Sequence, residues 1–194
     1  MKFTQLPSTM AQTIQLNAGI LVQEFAPATG TITGILGATS GGTNFTAEPE
    51  FTDFGEDIDN CPKKTKELML LDTWTATMSG TFVTVSAALA KTLTGAADID
   101  TTDTTKIVPR ADILQDDFDD IWWVGDYSDK TGTTNGGFVA VHLLNSLSTG
   151  GFQIQSEDKS KGQFAFEFTG HYSIADPTQV PFELYVKAGT AEPT

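Results

Sequence analysis

The sequence predicts a mainly β fold: a β-sandwich or half-barrel with one flanking α-helix. The composition, which includes 13 Phe and 18 Gly, favours strands and turns over helices. Apolar and polar residues alternate through residues 74–85 and again through 163–172, which is the periodicity of half-buried strands. Only residues 86–93 have a helical pattern.

Two short strands are predicted at the start. Residues 19–25 are apolar, the segment 27–30 (PATG) is typical of a turn, and residues 31–36 resume a strand pattern. The segment 37–43 (GATSGGT) is then predicted to be a glycine-rich turn. Residues 44–54 alternate again, and Pro49 restricts that segment to an edge strand or an irregular strand.

The clearest strand is 74–85 (WTATMSGTFVTV), whose polar face carries almost only hydroxyl groups. Ser86 suits the N-cap of the following helix, and Gly95 suits its left-handed C-terminus. Residues 96–105 are predicted to be a loop. The remaining strands are predicted at 121–125, 138–144, 151–155, 163–172 and 182–186, with a flexible turn at 130–137.

These elements are expected to form a single domain, 1–194. It is large enough to bury a core, and 39% of its residues are hydrophobic. No segment resembles a linker between two cores. Residues 1–17 are predicted to form an N-terminal arm or a first edge strand, and 177–194 a C-terminal tail that contains the last short strand.

The charge argues against tight nucleic-acid binding. Eleven basic and 25 acidic residues give a formal net charge of -14. Nucleic-acid affinity arises mainly from Lys and Arg, so such a chain repels phosphate backbones. Cys61 is the one cysteine, which excludes an intrachain disulfide and suits a reducing compartment. No signal peptide and no stretch long enough to span a bilayer is present, so we expect a cytosolic product without a membrane partner.

The sequence gives no indication of catalysis. It contains no GxSxG, GxxxxGK[ST], HExxH or CxxC motif. His142 and His171 both lie in strand patterns, where a structural role is favoured, and Cys61 has no base partner nearby. We therefore expect neither an enzyme nor a cofactor.

Two acidic clusters occur, and neither has the spacing of a calcium loop. Solvated loops are the favoured interpretation, with a metal ion bridging two subunits as the alternative. The clusters are Asp53, Glu56, Asp57 and Asp59, and then Asp116, Asp117, Asp119 and Asp120.

Several segments, in order over nearly the whole chain, resemble the major tail proteins of siphophages that infect Gram-positive hosts. They are IQLNAGILVQEF (14–25), GATSGGTNFTAEPEFTDFGEDIDNCPKKTKEL (37–68), WTATMSGTFVTVS (74–86), DIWWVGDYSDK (120–130) and NSLSTGGFQIQSEDKSKGQFAFEFTGHYS (145–173). No single motif is diagnostic; the specificity lies in their succession. Because the chain stops at Thr194, we expect the tube domain alone, without the immunoglobulin-like domain that some members append.

The resemblance implies the tail tube fold, a β-sandwich with a flanking helix. It implies that six copies join into a ring whose inner sheets form a barrel, and that rings stack through a long loop. The implied partners are further copies of the chain, the tape measure protein, the tail terminator and the distal tail protein. The implied location is the tail of the virion, assembled in the bacterial cytoplasm, and phage DNA would pass through the tube without tight binding. The family offers no catalytic residues to carry over.

Residues 37–68 are our candidate for the loop that contacts the next ring. They combine glycines, apolar side chains and a switch from acidic to basic, and opposite charges on one arm are suited to setting register between copies. The candidate contact residues are Phe54, Glu56, Asp57, Asp59, Lys63, Lys64 and Lys66. The alternative is a hairpin that packs Phe45, Phe51 and Phe54 against its own subunit.

Acidic side chains facing the lumen would keep DNA from adhering, and the hydroxyl-rich strand 74–85 is expected to face the lumen or a neighbouring copy. Two other functions are considered. One is the tube of a contractile injection machine or type VI secretion system, which shares the architecture. The other is a carbohydrate-binding β-sandwich of the phage tip, in which Trp74, Trp122 and Trp123 would stack on sugar.

Overall fold

Antiparallel strands make up most of the chain in a computed structural model that describes residue 15 and residues 17–126 and 137–189. The one α-helix of these residues is α1 (Ala87–Thr94), and short 3-10 helices lie at Lys66–Leu68 and Gln115–Asp117. The prediction of a mainly β fold with one helix is confirmed. The strands are β1 (Ile20–Ala26), β2 (Thr31–Gly37), β3 (Thr39–Asp53), β4 (Met69–Phe82), β5 (Ala97–Ile99), β6 (Ile107–Pro109), β7 (Asp119–Asp126), β8 (Phe138–Ser148), β9 (Phe164–Thr169) and β10 (Phe182–Lys187).

Strand β8 belongs to two sheets. Its residues 138–143 pair with β7 on one edge and with β10 on the other, which gives a first sheet in the order β2-β1-β7-β8-β10. Its last residues, Leu147 and Ser148, pair with β9 and so begin a second sheet, β8-β9-β4-β3. Asn145, at a φ of 46°, lies where the pairing with β7 shifts register, just before the residues that pair with β9. The left-handed backbone there lets one strand bend from one sheet into the other.

The main hydrophobic core combines side chains of both sheets and α1. Alternate residues of β4 and β9 supply its largest members, because successive side chains of a strand point to opposite faces. The prediction that Phe164, Phe166 and Phe168 line one face is confirmed. The buried residues of this core are Leu21, Ala76, Met78, Phe82, Leu89, Leu93, Ile121, Val141, Leu143, Phe164, Phe166 and Phe168.

Helix α1 has the two caps that the sequence predicts. The Oγ of Ser86 accepts a hydrogen bond from the backbone N–H of Leu89 at 3.1 Å. Gly95 ends the helix at a φ of 83°, and its N–H donates to the carbonyls of Lys91 and Thr92. Leu89 and Leu93 then fall on the face that enters the core.

The predicted turn at 37–43 is wrong, because β3 begins at Thr39 and runs through it. Gly41 and Gly42, at φ values of 81° and 84°, form a bulge at which the pairing with β4 shifts. Left-handed residues inside a strand are tolerated where they are glycine. A cluster of glycines therefore indicates a bulged strand here, where the sequence suggested a reversal of the chain.

Two further predictions need correction. Residues 96–105 are only partly a loop, since β5 pairs with β6 in a small hairpin that ends at Pro109. The predicted strand 151–155 reduces to one bridge, between Gln155 and Gln163. Phe152 and Ile154 are exposed, so these apolar residues have no sheet face to bury.

The predicted strands 19–25, 31–36, 121–125, 138–144 and 182–186 are present as β1, β2, β7, β8 and β10. The arm 1–17, apart from Gln15 and Asn17, and the turn 130–137, apart from Gly137, lie outside the described residues. Within the described ranges, no helix has the length and apolar character required to cross a bilayer.

Candidate functional site

The hairpin β3–β4 projects beyond its sheet. Its pairing runs from Thr39 opposite Phe82 to Asp53 opposite Met69, whereas β9 covers β4 only over residues 77–82. Residues 47–53 and 69–76 therefore form a two-stranded ribbon. At about 3.3 Å per residue, its eight-residue arm is about 26 Å long. An isolated two-stranded ribbon is marginal in water, so partners for its side chains are needed.

The base of the ribbon is held by its own subunit. The indole of Trp74 packs edge-on against Phe182, with ring centroids 5.4 Å apart. The backbone N–H of Trp74 donates to the Oη of Tyr172 at 2.8 Å, and Phe45 also packs against Phe182. The alternative interpretation, in which phenylalanines of this segment pack against their own subunit, is therefore correct for Phe45.

The outer part of the hairpin exposes large apolar side chains to solvent. Phe51 lies opposite Leu71 in the pairing register, and these two are 57% and 43% exposed. Phe54 is 60% exposed, although the sequence pattern alone allowed it to pack inward. Exposed apolar residues concentrated in one projection are typical of an interaction surface. The exposed apolar residues of the hairpin are Phe51, Phe54, Ile58, Leu70 and Leu71.

The hairpin tip, defined as residues 54–68, has an internally bonded backbone. The carboxylate of Asp53 accepts the N–H of Gly55 at one oxygen and the N–H of Lys64 at the other, both at 2.8 Å. These backbone hydrogen bonds hold the pKa of Asp53 below its usual value. Cys61 is half-buried beside Thr65 and is a free thiol.

The predicted contact residues all lie on this tip, and all seven are exposed. The Nζ of Lys63 lies 3.1 Å from Glu56, and the Nζ of Lys66 lies 3.4 Å from Glu67. Such exposed pairs contribute at most about 1 kcal/mol each, so their partners are easily exchanged. The proposed 37–68 loop requires one correction: residues 39–53 form a strand, and the irregular part is the tip.

A second feature lies on the first sheet, where the imidazole of His142 bridges two strands. The ring stacks on Trp122 with centroids 3.9 Å apart. Its Nε2 lies 3.1 Å from the Oδ2 of Asp120 on β7, and its Nδ1 lies 3.4 Å from the Oε2 of Glu183 on β10. Tyr185 donates its hydroxyl to Glu183 at 2.6 Å.

The hydrogen bond between Tyr185 and Glu183 shifts both groups. It lowers the pKa of the Glu183 carboxyl, with a smaller effect in the same direction from His142. It raises the pKa of the Tyr185 hydroxyl, because removing the proton would break the bond and place two negative charges together. The side chain of His142, only 12% exposed, is thus part of a polar network on the sheet.

Beside this network lies an open depression of about 500 Å³. It crosses β1, β7 and β8 and contains three carboxylates, Glu24, Asp119 and Asp120. We call it the acidic depression. The sequence drew attention to Asp119 and Asp120 but not to Glu24, since only sheet pairing brings β1 beside β7. Its lining residues are Gln23, Glu24, Phe25, Asp119, Asp120, Trp122 and His142.

The second acidic cluster is divided by the fold. Asp117 is buried, with a 2% exposed side chain, and forms an ion pair with Arg110. The Nε of Arg110 also lies 2.9 Å from Asp98, although its N–H is not aligned for a hydrogen bond. Asp116 is exposed, and Asp119 and Asp120 line the depression. Among the described residues, no group of three or more His, Cys, Asp or Glu is arranged to hold a metal ion.

The tryptophans are not arranged as a sugar-stacking platform. Trp122 is buried beneath His142, and the Nε1 of Trp123 donates to the carbonyl of Ala18 at 3.1 Å. Trp74 is half-buried against Phe182.

Comparison with known proteins finds no protein-family model that matches the chain and no curated protein with significant similarity.

Proposed function

We propose that this chain is a structural subunit of a bacteriophage tail tube, which assembles into stacked rings and forms a conduit for DNA. The observation that carries the proposal is the projecting hairpin. Its ribbon has an arm about 26 Å long. The base of this arm packs on its own subunit, and the outer part of the hairpin exposes Phe51, Phe54 and Leu71. An exposed apolar projection is typical of a surface that contacts another molecule, and in an assembly of copies it would be buried on a neighbour.

Free sheet edges support the same proposal. Among the described strands, β2, β3 and β10 each pair on one side only. Exposed edges invite pairing with other chains, and a closed ring of copies is one way to satisfy them. Two different surfaces of identical subunits can contact repeatedly, which gives a ring where the rotation closes and a filament where it does not.

The net charge of -14 fits a conduit through which DNA moves without adhering. The tape measure protein, the tail terminator and the distal tail protein are the further partners that this proposal implies. The tube of a contractile injection or type VI secretion machine has the same architecture, and a sheath gene beside the gene for this chain would favour it.

Negative-stain electron microscopy of the purified chain, over increasing protein concentration, tests the proposal. We expect rings or hollow tubes. Light scattering should rise with a lag, because ring formation precedes growth. A chain that stays monomeric at all concentrations and also fails to join tubes seeded with assembled tails would contradict the proposal.

A further inference from the structure

The acidic depression contains carboxylates without a basic partner in the part of the chain that the structure describes. No lysine or arginine nitrogen of these residues lies within 4.0 Å of Glu24, Asp119 or Asp120. The imidazole of His142 is the one basic group that reaches one of them, at Asp120. The depression therefore offers more negative charge than its own residues balance.

Its chemistry fits a lysine side chain. Carboxylates bind the ammonium group through charge-assisted hydrogen bonds. Trp122 and Phe25 lie in the lining, but they pack edge-on against each other and are only 8% and 7% exposed, so the carboxylates are the groups that a lysine contacts. The depression is open, so a side chain that projects from another molecule can enter it.

The hairpin tip carries charges of both signs, and its cations are grouped at residues 63–66, after the acidic residues Glu56, Asp57 and Asp59 and before Glu67. Lys63, Lys64 and Lys66 belong to one four-residue segment of the tip. The backbone N–H of Lys64 donates a hydrogen bond to the carboxylate of Asp53, which holds this segment in place. The ammonium of Lys64 has no carboxylate within 4.0 Å among the described residues, and the pairs of Lys63 and Lys66 are exposed. No hydrogen bond or ion pair of these residues joins the tip to the depression of its own chain.

Complementary charge matters because each copy has a net charge of -14, so copies repel at a distance. Contact requires a local region of opposite sign on one of the two surfaces. Within the described residues, lysines are most closely spaced at residues 63–66 of the tip, and next at Lys159 and Lys161 in a turn.

We propose that the lysines of the hairpin tip of one copy bind in the acidic depression of a second copy. The inference rests on the proposed assembly and names its two contacting surfaces. Tip and depression are different surfaces of the same chain, so the contact is heterologous and can repeat from copy to copy.

A charge swap tests the inference. The tip variant is Lys64→Glu/Lys66→Glu, and the depression variant is Glu24→Lys/Asp119→Lys. We expect each variant alone to lower the initial rate of tube growth at least about tenfold, because like charges then face each other. We expect the variant with all four substitutions, and an equal mixture of the two double variants, to recover growth.

Matched controls keep the net charge and the backbone comparable. Lys159→Glu/Lys161→Glu changes the charge as the tip variant does and also includes a lysine with left-handed φ, 59° at Lys159 against 60° at Lys64. Glu157→Lys/Asp158→Lys matches the depression variant. Both controls should grow at the wild-type rate, and circular dichroism and thermal melts should establish that every variant is folded.

The outcomes separate the inference from the proposed function. Wild-type tubes with a depression variant that grows normally would overturn the inference and leave the proposed function intact. Two slow double variants without recovery in the combined variant or in the mixture would also overturn it, as would an equal loss in the Lys159/Lys161 control. A wild-type chain that forms no assembly under any condition would instead count against the proposed function.

Discussion

The imidazole of His142 stacks on the indole of Trp122, with an angle of 9° between the two planes. The same imidazole reaches a carboxylate on β7 and another on β10, so one side chain links three neighbouring strands of the first sheet. The stack covers the apolar cluster on this face, in which Val22 and Ala140 are fully buried. His142 therefore joins a polar network to a hydrophobic one.

Replacing His142 by Ala should lower the free energy of unfolding by about 1–3 kcal/mol. The loss of stacking on Trp122 contributes about 1 kcal/mol. Asp120 and Glu183 also lose the imidazole that lies between them as a hydrogen-bond partner. Urea denaturation at neutral pH measures the effect. Glu183→Gln removes one carboxylate and keeps the stack, so it should cost less. Equal stability of the wild type and His142→Ala would show that the stack contributes nothing.

Tyr185→Phe should flatten the dependence of stability on pH at both ends. The folded pKa of Glu183 is lowered, so its contribution is present above the unfolded value near 4.5 and is lost as pH falls through the folded pKa. The folded pKa of Tyr185 is raised, so its contribution is present below the unfolded value near 10 and is lost as pH rises through the folded pKa.

We therefore expect the wild type to exceed Tyr185→Phe in stability at pH 7, by about 1 kcal/mol. The difference should shrink in strong acid and in strong alkali. Thermal melts in a series of buffers measure it, and Tyr172→Phe serves as a control tyrosine. A difference that is constant from acid to alkali would rule out the hydrogen bond as its source.

Asp117→Ala should destabilise the fold by about 2–3 kcal/mol, because it removes a buried carboxylate and leaves the partly buried guanidinium of Arg110 with only the exposed carboxylate of Asp98. The side chain of Arg110 is 15% exposed, and Asp117 also accepts the N–H of Leu114 at 2.8 Å. Asp116→Ala is the matched control and should change the free energy of unfolding by less than about 0.5 kcal/mol. Similar urea midpoints for the two variants would contradict the structural role of Asp117.

Ser86→Ala should lower the free energy of unfolding by about 1 kcal/mol, since it removes the acceptor for the N–H of Leu89. Ser86→Asp keeps an acceptor and should retain most of the stability. The two variants differ in no core contact, so chemical denaturation isolates the cap. A loss of equal size in both would point to another cause.

Phe51→Ser/Phe54→Ser should leave the stability of the monomer within about 0.5 kcal/mol of the wild type, because both rings are largely exposed. The same variant should fail to form tubes, since the proposed contact loses its apolar surface. Phe168→Ala is the opposite control: it removes a fully buried ring and should cost about 3–5 kcal/mol. Normal tubes from the exposed-residue variant would argue against a role for the tip in assembly.

Local patterns predicted much of the fold. The alternation through 163–172 predicted the buried face of β9, and Ser86 and Gly95 predicted both ends of α1, because these effects act within a few residues. Pro49 predicted that β3 lies at an edge, which the order of strands confirms. Gly41 and Gly42 suggest a turn but form a bulge, since both structures can use the left-handed backbone that glycine adopts.

The sequence by itself determined that the chain is rich in strands, strongly acidic and equipped with one capped helix. Only the tertiary structure decided that Phe45 packs inward while Phe51 remains exposed. The two residues share one alternating pattern, but Phe45 lies opposite the part of β4 that β9 covers and Phe51 lies beyond it. It also decided that Asp117 is buried while Asp119 and Asp120 join Glu24 around a depression. Such groupings depend on which strands pair, and strand pairing joins residues that are distant in the chain.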